Sequence, residues 1–267
     1  MKVAIAGTGG LAQYIAHHLA AGIYHQFILL SRTVGSRFIW LIGSLTFPKP
    51  KPLLTAKGWQ VIVVDYADPN SLRFKLSGVD TVISTITGAA QIALIDAAAS
   101  VHVRRFAPAE FEGLPALRSP QNLADRDKDA SLARLQYYAQ HSPSRMSYTV
   151  FVCGILYERF APGGMAASAI GLQCGTSGEG EYLMDIRRMR ARIPHFNAAG
   201  EIVHICMTSA EDVGRFVVAA LDLPQWPTEM RMCGERMSAS NVVRVAELMI
   251  GKTHLQTSRS PHLLIHL

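Results

Sequence analysis

Gly7, Gly9 and Ala12 stand in the spacing G-x-G-x-x-A within AIAGTGGLAQYIAHHL. Each position has a physical task in holding a dinucleotide. A glycine at a strand end permits a sharp turn, the second lets backbone approach a pyrophosphate, and a small third residue lets helix pack on strand. With Thr8, Gly10 and Leu11 between and beside them, these residues predict a loop whose amides face phosphate at a helix N-terminus. About 20 residues beyond such glycines, NAD-selective sites place a carboxylate against the ribose 2'-hydroxyl. Here FILL runs into Ser31-Arg32-Thr33 instead. A guanidinium and hydroxyls suit a 2'-phosphate, so the expected cofactor is NADP(H) rather than NAD(H). Ligands sit at the carboxyl ends of parallel strands, which sets Asp65 against the adenine edge and Thr85, Ile86 and Thr87 under the nicotinamide side.

Further candidates follow the later strands. Glu110 and Phe111 in FAPAEFEG, and Tyr157 and Glu158 in GILYERFAPGG, are expected to line a substrate pocket. Metal is not expected: the four cysteines include no Cys-x-x-Cys pair, and the adjacent His17 and His18 point two ways from a helix. G-x-S-x-G is absent, which argues against hydrolase chemistry of that type.

Elements able to position these residues are legible over the first 160 or so positions, where apolar runs alternate with helical stretches. The runs are VAIA, FILL, QVIVV, TVIS, Val103 to Ala107 and YTVFV. Strands apolar at every position are those covered on both faces, which predicts a parallel sheet between helices. Leu11, Ile15 and Leu19 repeat at helical spacing, Asp68-Pro69 reads as a cap and first-turn proline, and Gln91 to Ala99 is alanine-rich. The expected fold is α/β, a Rossmann-type doubly wound parallel sheet over 1–155 with a smaller C-terminal substrate lobe over 156–267. In that lobe Ser209 with Asp212 opens one helix and Ser240 is expected to open another. Two stretches fit poorly. Val34 to Ala56, with FIWLIG and PKPKP, is expected as an irregular inserted surface loop. The end, GKTHLQTSRSPHLLIHL, has neither a helix nor a strand period.

Composition narrows the class. Of 267 residues 49% are hydrophobic and 17% charged, which suits a folded globular chain rather than a disordered one. The apolar run FIWLIGSLTF is well short of the ~20 residues a membrane crossing needs, and no leader is expected. Sparse cysteines suggest a reducing, cytoplasmic setting. The charge of +6 admits nucleic acid or an anionic small molecule. The densest arginines, Arg187, Arg188, Arg190 and Arg192, are expected as a solvated face, so nucleic acid is not the expected partner. Oligomeric state is not legible.

Taken in order, GTGGLAQYIAHHL, GVDTVIS, RRFAPAEFEG, SYTVFVCGILYERFAPGG and MTSAEDVGRFVVAAL resemble the NmrA-like, isoflavone-reductase-like atypical short-chain dehydrogenases, above all the fungal ones. The resemblance spans nearly the whole chain except Val34 to Ala56 and the last ~15 residues; because family members run on past the helix ending near Gly251, it implies a C-terminal lobe whose closing element is truncated or replaced. It implies NADPH and reduction of small aromatic or secondary-metabolite substrates. No Tyr-x-x-x-Lys pair exists here. Isoflavone-reductase-like enzymes use a lysine on the helix before the YT strand, which implies Lys128, although a gapless comparison sets Arg126 at that place. Some members bind the cofactor without catalysis, so the alternative is an NADP-sensing regulator docking on a transcription factor.

Overall fold

The computed structural model describes residues 1–32, 54, 57–118, 126–141, 145–172, 175–251 and 256–259. The apolar runs become strands and the chain alternates: β1 (Lys2–Ala6), α1 (Gly10–Ala21), β2 (Gln26–Ser31), β3 (Val61–Val63), α2 (Pro69–Leu76), β4 (Thr81–Ser84), α3 (Ala89–Ser100), β5 (Arg105–Ala107), α4 (Lys128–His141) and β6 (Ser147–Tyr148). These six strands form one parallel sheet in the order β3-β2-β1-β4-β5-β6. This is the Rossmann order, and its direction reverses between β1 and β4, the point at which sheets of this kind take their ligands.

Strand alternation divides the core in two. Val3 and Ile5 of β1 face Leu11, Ile15 and Leu19 of α1, while Ala4 and Ala6 face the side covered by Leu72, Leu76 and Leu94. Asp68 caps α2 as expected, accepting the Asn70 and Ser71 amides at 2.9 and 3.1 Å. No helix among the described residues is long and apolar enough to cross a membrane.

The chain continues through β7 (Val150–Val152), β8 (Ile155–Leu156), α5 (Gly164–Ala167), β9 (Met184–Asp185), β10 (Arg190–Ile193), β11 (His204–Thr208), α6 (Ala210–Leu221), β12 (Glu229–Arg231), β13 (Glu235–Ser238), α7 (Ala239–Ile250) and β14 (Gln256–Arg259). β7 pairs with β12, β11 lies between β8 and β13, and β10 lies between β9 and β14. Helix α6 lies against α1. A Cβ on Gly214 would come within 2.8 Å of His18 Cδ2 and 3.0 Å of the Tyr14 backbone, so only glycine allows this approach. His18 Nε2 and Glu211 Oε1 meet at 2.9 Å along the same seam.

Two expectations are corrected. Ser238, not Ser240, caps α7: its hydroxyl accepts the Asn241 amide at 3.2 Å, while Ser240 Oγ lies 2.7 Å from His195 Nδ1. The C-terminal stretch judged to lack a strand contains β14, which pairs in parallel with β10. Lys128 is the first residue of its helix, with Arg126 and Asp127 before it in left-handed backbone at φ 49° and 60°. The loop expected at Val34 to Ala56 lies outside the described residues except Leu54, a buried core residue. Of the clustered arginines, Arg187 and Arg188 face Glu179 and Asp185 at 3.6 and 3.1 Å, and Arg190 and Arg192 are exposed on β10.

Candidate functional site

The glycine loop begins where β1 ends. Gly7 has φ +111°, and its amide donates to the Leu30 carbonyl at 2.9 Å. A Cβ there would collide with Thr85 Oγ1. Thr85 is itself fixed, since both its amide and its hydroxyl donate to the Ala6 carbonyl, at 2.8 and 2.9 Å. The ends of β1 and β4 are thereby drawn together at the switch point. Gly9 caps α1 in extended backbone, without a side chain to satisfy the first-turn amides. The amides of Leu11 and Ala12 that follow, together with the positive end of the helix, are what an anion requires. Leu11 and Ala12 are buried, so at these positions backbone, not side chain, is offered to a ligand. The Thr8 carbonyl accepts from Gln13 Nε2 at 3.1 Å, which holds the loop down onto its helix. The Gly10 amide donates to the Ala169 carbonyl at 2.8 Å.

At the neighbouring corner, Ser31 is buried at the end of β2 and Arg32 is exposed just beyond it. Tyr66 lies close enough for the Arg32 charge to act on it: burial pushes its phenol up, and Arg32 opposes that. Its hydroxyl is buried without a hydrogen-bond partner among the described residues. An exposed guanidinium beside an orphaned phenol suits a phosphorylated ribose, which offers charge to the first and acceptors to the second. Nothing in the sequence pattern singled out Tyr66. Asp65 is exposed and its carboxylate accepts the Ala67 amide at 2.8 Å, so here it shapes the turn after β3. Ile86 and Thr87 are half-buried beyond β4, the Ile86 carbonyl accepting the Ser84 hydroxyl at 3.0 Å.

Past β5 the site becomes densely charged. Glu110 is fully buried and ion-paired with Arg118, which also meets Asp129 at 2.7 Å. Burial pushes the Glu110 carboxyl up, and the Lys128 and Arg118 charges oppose this. Lys128 is 1% exposed, with Nζ 2.6 Å from Glu112 Oε1 and 3.9 Å from Glu110 Oε2. Arg126 Nη2 lies 3.7 Å from the same Glu112 oxygen. The Glu112 carbonyl accepts the amides of Cys153 and Gly154 at 3.0 and 3.1 Å, tying this loop to the end of β7. Burial, then the negative charge of Glu112, pushes the Cys153 thiol up to about 12, so it is a poor nucleophile.

The other expected pocket residues are distributed differently. Phe111 stacks on Phe151 with centroids 5.8 Å apart and belongs to the core, so it anchors the loop. Glu158 accepts the Ala210 amide at 2.9 Å, bracing the start of α6. Tyr157 is partly exposed beside it. The structure thus brings Glu110 and Lys128 together and adds Glu112 and Arg118, which sequence reading passed over. The E-F-E spacing was the available signal: in extended chain it sets two carboxylates on one side. Among the described residues no group of three or more His, Cys, Asp or Glu could hold a metal ion.

Comparison with known proteins gives consistent results. The model of the NmrA-like family matches residues 2–264. "Oxidoreductase BOA1" of Botryotinia fuckeliana (strain B05.10) is 28% identical, over 94% of this chain and 77% of that protein. Among solved structures, pinoresinol-lariciresinol and phenylcoumaran benzylic ether reductases superpose with a TM-score of 0.67 at 20% identity, over 97% of this chain and 79% of theirs. AtPrR2 with NADP+ and (+)pinoresinol gives a TM-score of 0.65 at 18% identity, over 97% and 78%.

Proposed function

The chain belongs to the NmrA-like family, and from that membership we propose that it is an NADP(H)-dependent oxidoreductase reducing a small, secondary-metabolite-type molecule. The observation that carries this reading is the glycine loop, without a side-chain cap, at the switch point of a β3-β2-β1-β4-β5-β6 sheet, with Arg32 just beyond β2. The oxidoreductase from Botryotinia fuckeliana and the NADP+ complex of AtPrR2 support it.

The amides of the loop hold the pyrophosphate, and Arg32 with Tyr66 takes the 2'-phosphate side. Bound NADPH supplies the hydride. Thr85, fixed against Gly7, bounds the nicotinamide side of the crevice. When hydride reaches the acceptor carbon, the heteroatom left with an extra electron pair needs a proton, and Lys128 is the donor in this reading. Arg118 neutralises Glu110 beneath it, so the lysine stands over a compensated base. In the loop after β5, Glu110 is buried and Glu112 is the carboxylate open to solvent. The fold supplies proximity and orientation, which account for much of what a hydride-transfer site does.

The test is calorimetric titration of the purified chain with NADPH and NADH, beside turnover of NADPH against quinones, aromatic ketones and cyclic imines. Tight NADPH binding with turnover of at least one class is expected. Binding without any turnover would instead support the NADP-sensing regulator, and no binding would sink both.

A further inference from the structure

We propose that Glu112 is the positioning residue of this site, its carboxylate fixing the Lys128 ammonium and returning to it, from solvent, the proton that Lys128 gives up. This rests on the reading of Lys128 as the proton donor.

Lys128 occupies an unfavourable position for a lysine. It opens α4, so its charge sits at the positive end of the helix, and its side chain is almost wholly removed from water. The chain enters the helix through two successive left-handed residues that are not glycine, Arg126 and Asp127. That entry is pinned: the Arg126 carbonyl accepts the Gly88 amide at 3.0 Å, and the Asp127 carbonyl accepts the Ser131 amide at 2.9 Å and the Ser131 hydroxyl at 2.8 Å. A merely solvated lysine would need none of this.

Exposure is graded across the cluster: Glu110 is 0% exposed, Lys128 1% and Glu112 52%. Glu110 is engaged by Arg118 and stands 3.9 Å from the ammonium, whereas Glu112 stands at 2.6 Å. Glu112 is therefore both the close counter-charge and the member in contact with water. Its backbone is held by the Cys153 and Gly154 amides, so the carboxylate swings from a fixed root. The other charged or titratable groups around the pair are Arg118, Arg126, Asp129, Cys153 and Tyr182. None of them combines contact with Nζ and exposure.

The step balances. Hydride adds to the acceptor carbon, the π electrons move to the heteroatom, and that atom takes a proton from Lys128 Nζ. Glu112 then passes a proton from water to the neutral amine, leaving hydroxide for the buffer to neutralise.

The experiment measures NADPH turnover on the same quinones, ketones and imines for the wild type, Glu112→Gln, Glu112→Asp and Lys128→Met. Glu112→Gln is expected to lower kcat about a hundredfold, within the span of general acid–base effects, leaving KM and NADPH affinity nearly unchanged, with Glu112→Asp recovering part of the rate. A full rate in Glu112→Gln while Lys128→Met is inactive overturns the role of Glu112 alone. A full rate in Lys128→Met, or a wild type that binds NADPH and reduces nothing, overturns the reading beneath it as well. Should Glu112→Gln fail to fold, reductive methylation of Lys128 decides with Glu112→Asp: faster labelling than in the wild type is expected, and equal rates overturn the proposal.

Discussion

The Gly10 amide donates to the carbonyl oxygen of Ala169 over 2.8 Å. One partner lies in the first turn of α1, the helix proposed to face phosphate, the other just after α5, and Ala169 takes a left-handed φ of 54° to present its carbonyl. A Cβ on Gly10 would collide with the Ser168 carbonyl and lie 2.8 Å from Ile170 Cγ1. Gly10 is thus required by the chain's own packing. It stands beside the two positions that the G-x-G-x-x-A spacing reserves for glycine.

Gly10→Ala is therefore expected to lower stability by about 1–3 kcal/mol, the usual range for overpacking, and to weaken NADPH binding as the loop shifts. Urea unfolding and calorimetry together test this. A variant with an unchanged urea midpoint would mean that the 168–170 stretch yields freely.

Arg32→Ala should cost NADPH about 1.5–3 kcal/mol, as for a hydrogen bond to a charged group, and leave NADH affinity almost untouched. Equal losses for the two cofactors would remove Arg32 from the 2'-phosphate.

Glu110 gives a dependence on pH. Burial raises its carboxyl above the ordinary 4.5, so the folded protein holds this proton longer than the unfolded chain does. Its contribution to stability is then complete below the unfolded value and is lost as pH rises through the folded one. In Glu110→Gln that loss disappears. The stability of the wild type relative to the variant should decline as pH rises from about 4.5; urea midpoints across that range check it, and an increasing difference would contradict it.

Gly214→Ala should loosen the seam between α1 and α6 by about 1–3 kcal/mol, because the new methyl meets backbone as well as a ring. Unchanged thermal unfolding would show that α6 can slide away at little cost.

Features encoded in short stretches of sequence were legible. The β1–loop–α1 unit, the strands apolar at every position, the Leu11-Ile15-Leu19 stripe and the Asp68 cap all depend on neighbours in the chain. Features depending on distant partners were not. Ser238 and Ser240 are equivalent as caps in sequence, and His195, 45 positions away, takes the second. β14 is a strand through its pairing with β10, not through a period of its own. The start of α4 at Lys128 is not legible, because nothing in R-D-K announces left-handed backbone, which non-glycine residues seldom adopt. Glu112 was passed over for a related reason. Its partner lies beyond the loop that follows β5, and a carboxylate in such a loop looks solvated until that partner is located.

The seam closed by Gly214 also bears on how the chain folds while it is being made. Val213 and Val217 of α6 complete the apolar layer begun by Leu11 and Ile15 of α1, so the second element translated is covered by one of the last. Contacts so far apart in sequence form slowly. On the ribosome α1 waits with an open apolar flank until α6 has emerged. Through most of synthesis this chain therefore exposes apolar surface that only the later α6 covers.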